Sequence, residues 1–354
     1  MSAWQYVRDY GRRRLMKIGA ASALVGLPAT AGAVAALPKI ALEEHFSLPE
    51  FEQRGLVARP ARLNPMWADI GRRLVDLGDL RLEAMDAAGI DLSVLSLTLP
   101  GIQGEKEPAT AVRLARQAND FLAREVQKRP QRYGGFAAVP MQDPLAAADE
   151  LQRAVKELGF RGALINGQTN GRYLDDARFL PFWERVQELD VPVYLHPGTL
   201  PDSPAMFAGR PELPGPVWGW AADTGAHALR LIFSGLFKRF PRLRVILGHM
   251  GEGLPFLLWR VDNRYEFTVG RPLAEEERPS FFFRRNFVII TAGVCDPHAL
   301  RASLATLGEG NVMFSVDYPY QESKQAGDFI ASAPLADAVR AKVCTANAQR
   351  VLHL

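Results

Sequence analysis

Two short apolar runs, VPVYLH (191–196) and RVILGH (244–249), each end in a histidine. Between them, residues 224–240 repeat apolar side chains at intervals of three and four, which predicts an amphipathic helix. Near-continuous apolar runs of this length are typical of parallel strands that are covered on both faces. Because parallel strands are joined by a helical crossover, residues 191–249 predict a β-α-β unit.

The same alternation extends over most of the chain. Eight strand-like runs lie at residues 39–45, 91–97, 133–139, 162–166, 191–196, 244–249, 287–292 and 312–317. Helical spacing recurs between several of them, at 108–128, 143–158, 175–189 and 224–240. Eight such units predict an α/β fold, a (β/α)8 TIM barrel that forms a single domain over residues 37–354. The alternative is an open doubly wound sheet, although no glycine-rich phosphate-binding motif follows the first run.

The composition excludes several classes of protein. The chain has 354 residues, of which 48% are hydrophobic and 23% charged, unlike disordered, collagen-like or coiled-coil sequences. Its formal net charge of +3 comes from the first 35 residues, where five basic residues oppose one acid. That segment carries +4, which leaves −1 for the remainder. No basic surface is therefore predicted, and we expect no nucleic-acid partner.

The N-terminal segment has the pattern of an export signal. Residues 12–17 (RRRLMK) resemble the twin-arginine motif, residues 18–36 carry no charge, and the stretch ends in AGA (31–33) and AVA (33–35). Together they predict a cleaved signal peptide over residues 1–36 and export to the periplasm by the twin-arginine pathway. The alternative is an uncleaved membrane anchor. Its many glycines and alanines make the run weakly apolar, which favours a signal peptide over stable membrane insertion.

Chemically active side chains cluster at the predicted strand ends. Glu43 and His45 are two residues apart at the end of the first run, so they point to the same face. Later runs end at His196, His249 and Asp317, which places three of the six histidines at strand ends. Barrel enzymes build their sites at the carboxyl ends of the strands. Imidazoles and carboxylates that converge there suit one divalent ion such as Zn²⁺ or Mn²⁺, the alternative being that each caps its own strand.

Several motifs carry a resemblance to a known family. They are IALEEHF (40–46), VYLHP (193–197), ILGHMGEGLP (246–255), WR (259–260) and FSVDYP (314–319). The sequence from about residue 38 onward resembles the metal-dependent amidohydrolase superfamily, in the branch that contains γ-resorcylate and 2,3-dihydroxybenzoate decarboxylases. Hydrolytic members usually carry two histidines on the first strand, where this chain has Glu43 and His45.

The resemblance implies a role for individual residues. It implies four metal ligands, Glu43, His45, His196 and Asp317. It also implies that His249 and Glu252 form a proton-relaying pair beside the metal, and that Asp317 delivers a proton to the substrate ring. Phe46, Trp218 and Arg260 match positions near the substrate, and Tyr318 would complete an aromatic floor. Relatives in this branch are dimers or tetramers, so a homo-oligomer is expected.

The implied activity is nonoxidative decarboxylation of a small hydroxylated aromatic acid, a carboxy-lyase reaction. The competing activity is hydrolysis of a lactone or amide, in which the same metal activates water and Asp317 acts as the base. A third, non-catalytic role as a metal-binding protein is disfavoured because the whole set of ligating residue types is present. The sequence departs from the family pattern at Thr199, Asn263 and Gln321, which leaves the identity of the substrate open.

Overall fold

Nine short parallel strands form the centre of the described chain. The structure is a computed structural model that describes residues 37–57, 65–200 and 204–354. The strands are β1 (Ile40–Phe46), β2 (Leu92–Leu97), β3 (Tyr133–Gly135), β4 (Ala137–Ala138), β5 (Ala163–Asn166), β6 (Val193–His196), β7 (Val245–Leu247), β8 (Phe287–Ile290) and β9 (Val312–Met313). They pair in chain order, as a three-stranded sheet β1–β3 and a six-stranded sheet β4–β9.

The break between β3 and β4 falls inside one predicted run, residues 133–139. Phe136 separates the two halves, and its N–H still donates to Leu95 O on β2 at 2.9 Å. On the other side, Ala137 N–H donates to Gly162 O at 2.8 Å. The two halves therefore occupy one barrel position, which gives eight positions in all.

The ring closes between β1 and the segment that follows β9. His45 N–H donates to Tyr318 O at 2.7 Å, and Asp317 N–H donates to Glu43 O at 2.9 Å. The hydroxyl of Ser315 accepts from the N–H groups of both Leu42 and Glu43, at 2.9 and 2.7 Å. The predicted (β/α)8 barrel is confirmed, and the open-sheet alternative is wrong because these bonds join the first and last strands.

The part of β1 that carries the ring-closing bonds also contains a β-bulge. The register of β1 against β2 shifts between Ala41 and Glu44. A bulge places two residues of one strand opposite one residue of its neighbour and redirects the side chains that follow. Leu42 thus belongs to the apolar group inside the barrel, and Glu43 and His45 reach the site described below.

Helices surround these strands. Their bounds are Pro49–Gln53, Pro65–Val75, Asp79–Ala88, Pro108–Lys128, Pro144–Lys156, Leu180–Leu189, Gly219–Phe233, Leu236–Arg239, His249–Glu252, Leu254–Val269, Pro279–Asn286, Pro297–Leu307, Ser323–Ser332, Asp337–Ala341 and Asn347–Leu352. The predicted helix over 224–240 is wrong in one respect, since it is two helices. Gly235 separates them with φ of 80°, a conformation that glycine adopts without strain.

One sequence prediction concerns residues without a described structure. The predicted signal peptide, residues 1–36, lies outside the described residues. The described residues that follow β1 contain the helix Pro49–Gln53 and, after residue 64, the helix Pro65–Val75. Among the described residues, no helix combines the length and the apolar character needed to cross a membrane.

Candidate metal centre

Four side chains meet at the carboxyl ends of the strands. Glu43, His45, His196 and Asp317 each offer one ligand atom, and these atoms all lie within 4.8 Å of one another. Glu43 Oε1 is 3.2 Å from His196 Nε2, and His45 Nε2 is 3.4 Å from Asp317 Oδ1. The first three side chains are buried, and Asp317 is only 9% exposed. The four strand-end residues predicted as ligands are therefore close enough to share one ion.

The unpaired atoms of this group indicate what it holds. Glu43 Oε1 and His45 Nε2 are buried and have no hydrogen-bond partner. Buried polar atoms are nearly always hydrogen-bonded. Two unpaired atoms in the same four-residue cluster therefore require an explanation. A cation supplies it. Two carboxylates and two imidazoles form a donor set that suits one divalent metal ion.

Neighbouring groups orient the imidazoles. His196 donates its Nδ1–H to the carbonyl of Pro197 at 2.8 Å, which leaves Nε2 with a free lone pair directed at the cluster. His45 Nδ1 lies 3.3 Å from Ser96 Oγ. Such contacts behind a ligand set its tautomer and ring orientation. The site is thus prepared before a metal binds.

The charged groups of the cluster shift one another's pKa values. Burial alone would lower the pKa of His45, but contacts with Asp317 and Glu43 outweigh it and raise that pKa to about 9. Burial alone would raise the pKa of Glu43, but His249, His196 and His45 lower it well below its usual value. The neighbouring carboxylates therefore favour the protonated form of His45. A divalent cation would compete with that proton, so metal affinity should fall as the pH is lowered.

His249 and Glu252 form a pair beside the four ligands. His249 Nδ1 hydrogen-bonds Glu252 Oε1 at 2.7 Å. Its Nε2 lies 3.5 Å from Glu43 Oε1 and 3.8 Å from Asp317 Oδ2. Burial opposes the charged imidazolium, but Glu43 and Glu252 outweigh it and raise the pKa of His249 well above its usual value. His249 therefore lies between the carboxylate of Glu252 on one side and those of Glu43 and Asp317 on the other.

Backbone strain accompanies this pair. The short helix His249–Glu252 is irregular, because residues 249–253 all have positive φ, and three of them, His249, Met250 and Glu252, are not glycine. Asp317 also has positive φ, at 81°. Each such conformation costs on the order of 1–3 kcal/mol in a residue with a side chain, and it persists where surrounding structure imposes it. The concentration of strain at these strand ends agrees with a functional site.

Comparison with known proteins gives the family. A sequence model of the amidohydrolase family matches residues 45–354. The chain belongs to the amidohydrolase family. Over 324 residues it is 43% identical to a γ-resorcylate decarboxylase from Rhizobium sp. (strain MTP-10005). The matched region covers 89% of this chain and 98% of the relative. The family predicted from the strand-end motifs is confirmed.

Solved structures are similar over the same length. A 2,6-dihydroxybenzoate decarboxylase complexed with 2,6-dihydroxybenzoate is 42% identical, with a TM-score of 0.84 and coverage of 90% of this chain and 99% of the other. A dihydroxybenzoic acid decarboxylase from Polaromonas sp. JS666, with bound manganese and the inhibitor 2-nitroresorcinol, is also 42% identical. Its TM-score is 0.82, and the match covers 90% of this chain and 97% of that protein.

The amidohydrolase places its four predicted substrate residues in two kinds of surroundings. Phe46 is 1% exposed and stacks on Phe121, with 6.0 Å between ring centroids. Tyr318 is buried, and the guanidinium of Arg81 lies 4.5 Å from its ring centroid. Trp218 is 55% exposed and Arg260 is exposed on the helix Leu254–Val269. Contact of these four residues with substrate stays a prediction.

The structure adds residues that the sequence analysis did not select. Tyr320 has its ring centroid 5.7 Å from that of His45, and its hydroxyl hydrogen-bonds Thr98 Oγ1 at 2.6 Å. Tyr194 donates a short hydrogen bond to Glu43 Oε2. A signal for Tyr194 existed, because it lies two residues before His196 on one strand and so points the same way. Tyr320 lies in a loop, where no periodicity predicts direction.

Proposed function

We propose that this amidohydrolase is a metal-dependent nonoxidative decarboxylase, a carboxy-lyase that acts on hydroxylated benzoates of the 2,6-dihydroxybenzoate class. One observation carries the proposal. The four donor atoms within 4.8 Å of one another lie beside the His249–Glu252 pair, in a chain that spans nearly the whole length of a relative named γ-resorcylate decarboxylase.

The chemistry defines what the site must supply. The ring carbon that bears the carboxylate must gain a proton, which interrupts aromaticity, before the carbon–carbon bond breaks. The electron pair of that bond then restores the aromatic ring and CO₂ leaves. A divalent ion held by Glu43, His45, His196 and Asp317 would supply the positive charge that stabilises an ionised hydroxybenzoate. The protein must deliver one proton at the right carbon.

Asp317, His249 and Glu252 form the route for that proton. Asp317 has its carboxyl group at the end of the barrel, with a side chain only 12% exposed, and we assign it the transfer to the ring carbon. His249 Nε2 lies 3.8 Å from Asp317 Oδ2, and its Nδ1 bonds Glu252 Oε1 at 2.7 Å. A proton held on His249 can therefore replace the one that Asp317 gives up. Glu252 orients the imidazole and balances its charge.

A substrate panel tests the activity. Manganese-loaded protein is incubated with the dihydroxybenzoate isomers in D₂O, and CO₂ and ring deuterium are followed by mass spectrometry. We expect one CO₂ and one deuterium, at the carbon that bore the carboxylate, for each turnover. Turnover of lactones or amides without CO₂ from any benzoate would establish the hydrolase alternative instead.

We propose Mn²⁺ as the bound ion. The support is the manganese in the Polaromonas relative and a donor set with as many carboxylates as imidazoles. Metal analysis of protein purified without added metal, from its native host, tests this. A stoichiometric Zn²⁺ content, with activity that Mn²⁺ does not restore after chelation, would contradict it.

We also propose that residues 1–36 direct export through the twin-arginine pathway and are then removed. The support is the paired arginines before an uncharged run that ends in small residues. Replacing Arg12, Arg13 and Arg14 with lysine should leave the protein in the cytoplasm of its host. N-terminal sequencing of periplasmic protein should find a start near residue 37, and an intact Met1 there would show that the segment is retained.

We propose a homo-oligomer, a dimer or tetramer, that buries one face of the helix Leu254–Val269. Phe256, Trp259 and Phe267 lie along one stripe of this helix and are 58%, 77% and 78% exposed. Monomeric soluble proteins rarely expose large contiguous apolar patches. Light scattering should find a multimer, and the double variant Trp259→Ser with Phe267→Ser should reduce its size. The control is Leu145→Ser, at a 65% exposed leucine on another helix.

A further inference from the structure

Tyr194 is a buried phenol directly behind the metal centre. It lies on β6 two residues before His196, so both side chains point into the barrel. It belongs to the apolar group that fills the barrel interior, and its ring centroid is 6.1 Å from that of Phe136. Its only polar atom donates a hydrogen bond to Glu43 Oε2. The ring is therefore held among apolar side chains, and its hydroxyl bonds to a carboxylate of the cluster.

The two oxygens of Glu43 have different surroundings. Oε1 lies 3.2 Å from His196 Nε2 and 3.5 Å from His249 Nε2, and it has no hydrogen-bond partner. Oε2 accepts the hydrogen bond from Tyr194. One oxygen thus faces the metal-binding cluster, and the other is held by the protein. The torsion that turns a carboxylate is broad, so this hydrogen bond is what defines the orientation of the group.

The hydrogen bond also depends on the absence of a side chain at residue 248. A Cβ atom built on Gly248 would lie 2.6 Å from the hydroxyl oxygen of Tyr194 and 2.7 Å from Glu43 Oε2. The backbone of Gly248 has φ of −70° and ψ of −172°, which alanine adopts without strain. The glycine is therefore required here for space and not for backbone freedom.

We propose that Tyr194 is a positioning residue that holds Glu43 with Oε1 facing the metal-binding cluster, and that Gly248 provides the space for this contact. The inference rests on the proposed metal-dependent function. Without the phenol, Glu43 Oε2 is a buried carboxylate oxygen with no donor, and the carboxylate can turn away from the cluster. Groups that support metal ligands in this way typically change metal affinity by about 10–100-fold.

The test measures Mn²⁺ affinity directly. Wild-type and Tyr194→Phe proteins are stripped with chelator, and free Mn²⁺ is followed by electron paramagnetic resonance during titration. We expect the Kd of Tyr194→Phe to be about 10–100-fold higher than that of the wild type. Decarboxylation by the variant should recover at saturating Mn²⁺, because Tyr194 acts through the ligand and not on the substrate.

A matched control separates positioning from loss of stability. Tyr133 is also buried, and its hydroxyl donates to Leu77 O at 3.0 Å, away from the metal ligands. Tyr133→Phe removes the same atom and one hydrogen bond, so the denaturation midpoint should fall in both variants and the Mn²⁺ Kd should rise only in Tyr194→Phe. An unchanged Kd in a folded Tyr194→Phe protein would overturn the inference.

Gly248→Ala provides the second variant if Tyr194→Phe fails to fold. It keeps both side chains but crowds the contact between the Tyr194 hydroxyl and Glu43 Oε2, so its Mn²⁺ Kd should also rise, and a wild-type Kd would overturn the inference. The Mn²⁺ affinities can be compared whether or not the protein is a decarboxylase. A wild-type protein that binds Mn²⁺ but releases no CO₂ from any benzoate would refute the decarboxylase while the Tyr194 comparison could still be made.

Discussion

Two regions of the barrel bury an imidazole completely, and they treat it in opposite ways. His45, at the end of β1, lies against the carboxylates of Glu43 and Asp317, and its pKa is raised to about 9. His227, on the helix Gly219–Phe233, has no carboxylate against it among the described residues, and burial lowers its pKa to about 3. Equal burial thus produces a protonated or metal-binding group in one place and a neutral one in the other.

The local contacts explain the difference. His227 Nε2 accepts a hydrogen bond from Leu174 N at 2.8 Å, and its ring meets Tyr173 edge to face with 4.8 Å between centroids. His45 Nε2 has no hydrogen-bond partner and faces other ligand atoms. His227 also has one ring nitrogen without a hydrogen-bond partner, Nδ1. The two sites therefore differ in what surrounds the imidazole: His45 lies against the carboxylates of Glu43 and Asp317, whereas no carboxylate among the described residues lies against His227.

The largest expected effect is at the metal centre. Asp317→Asn removes both a negative ligand and the proposed proton donor, so we expect kcat for decarboxylation to fall by about a thousandfold or more. Steady-state CO₂ release measures it, with far-ultraviolet circular dichroism as the check on folding. Near-native turnover would exclude Asp317 from the reaction and would weaken the contrast between the two regions.

The next effect concerns metal affinity. His45→Ala should raise the Mn²⁺ Kd by at least about a hundredfold, because direct ligands contribute more than the groups behind them. His227→Ala is the matched variant, since it removes an equally buried imidazole outside the cluster. Metal content after dialysis compares the two. Full metal occupancy in His45→Ala, or equal loss of metal from both variants, would show that His45 is no more a metal ligand than His227.

The third effect is on the pH dependence of stability. The pKa of His227 is about 3 in the folded protein, so between pH 6.5 and that value the imidazole gains a proton only in the unfolded chain. The free energy of unfolding therefore falls as the pH drops. For this residue the loss between about pH 7.5 and about pH 5 is about 2 kcal/mol. His227→Gln keeps an acceptor for Leu174 N–H and cannot titrate.

Urea unfolding of wild type and His227→Gln at both pH values gives the comparison. The difference in unfolding free energy between the two proteins should shift by about 2 kcal/mol in favour of the variant at the lower pH. A constant difference across this range would mean that the folded protein tolerates a charged imidazole at residue 227.

The smallest expected effect is at the edge of the site. Trp218 is 55% exposed, so a stacking contact with the substrate would involve only part of its ring. We expect Trp218→Ala to raise KM for a dihydroxybenzoate by about 2–10-fold, the usual size of an aromatic contact of 0.5–1.5 kcal/mol. Leu145→Ala, at another exposed apolar residue, is the control. An unchanged KM would assign Trp218 to another role.

Features that depend on neighbouring residues could be predicted from the sequence, and features that depend on contacts between distant residues could not. The strand-end positions of His196 and His249 could be predicted, because an apolar run of known length defines where a parallel strand ends. The surroundings of Phe46 and Arg260 could not. Whether an aromatic ring meets a substrate or Phe121 depends on which distant helix packs against it, and residue spacing carries no such information.

The amino-acid sequence by itself determined the order of the strands and helices, the family, and the residue types at the strand ends, because periodicity and local motifs are properties of neighbouring residues. It is also the sole basis for the proposed export signal. Only the tertiary structure decided that Ser315, which follows β9, bonds to β1, that Tyr194 hydrogen-bonds Glu43, and that Leu174 N–H donates to His227 Nε2. These contacts join residues from about 50 to more than 270 positions apart, so the closed barrel is what brings them together.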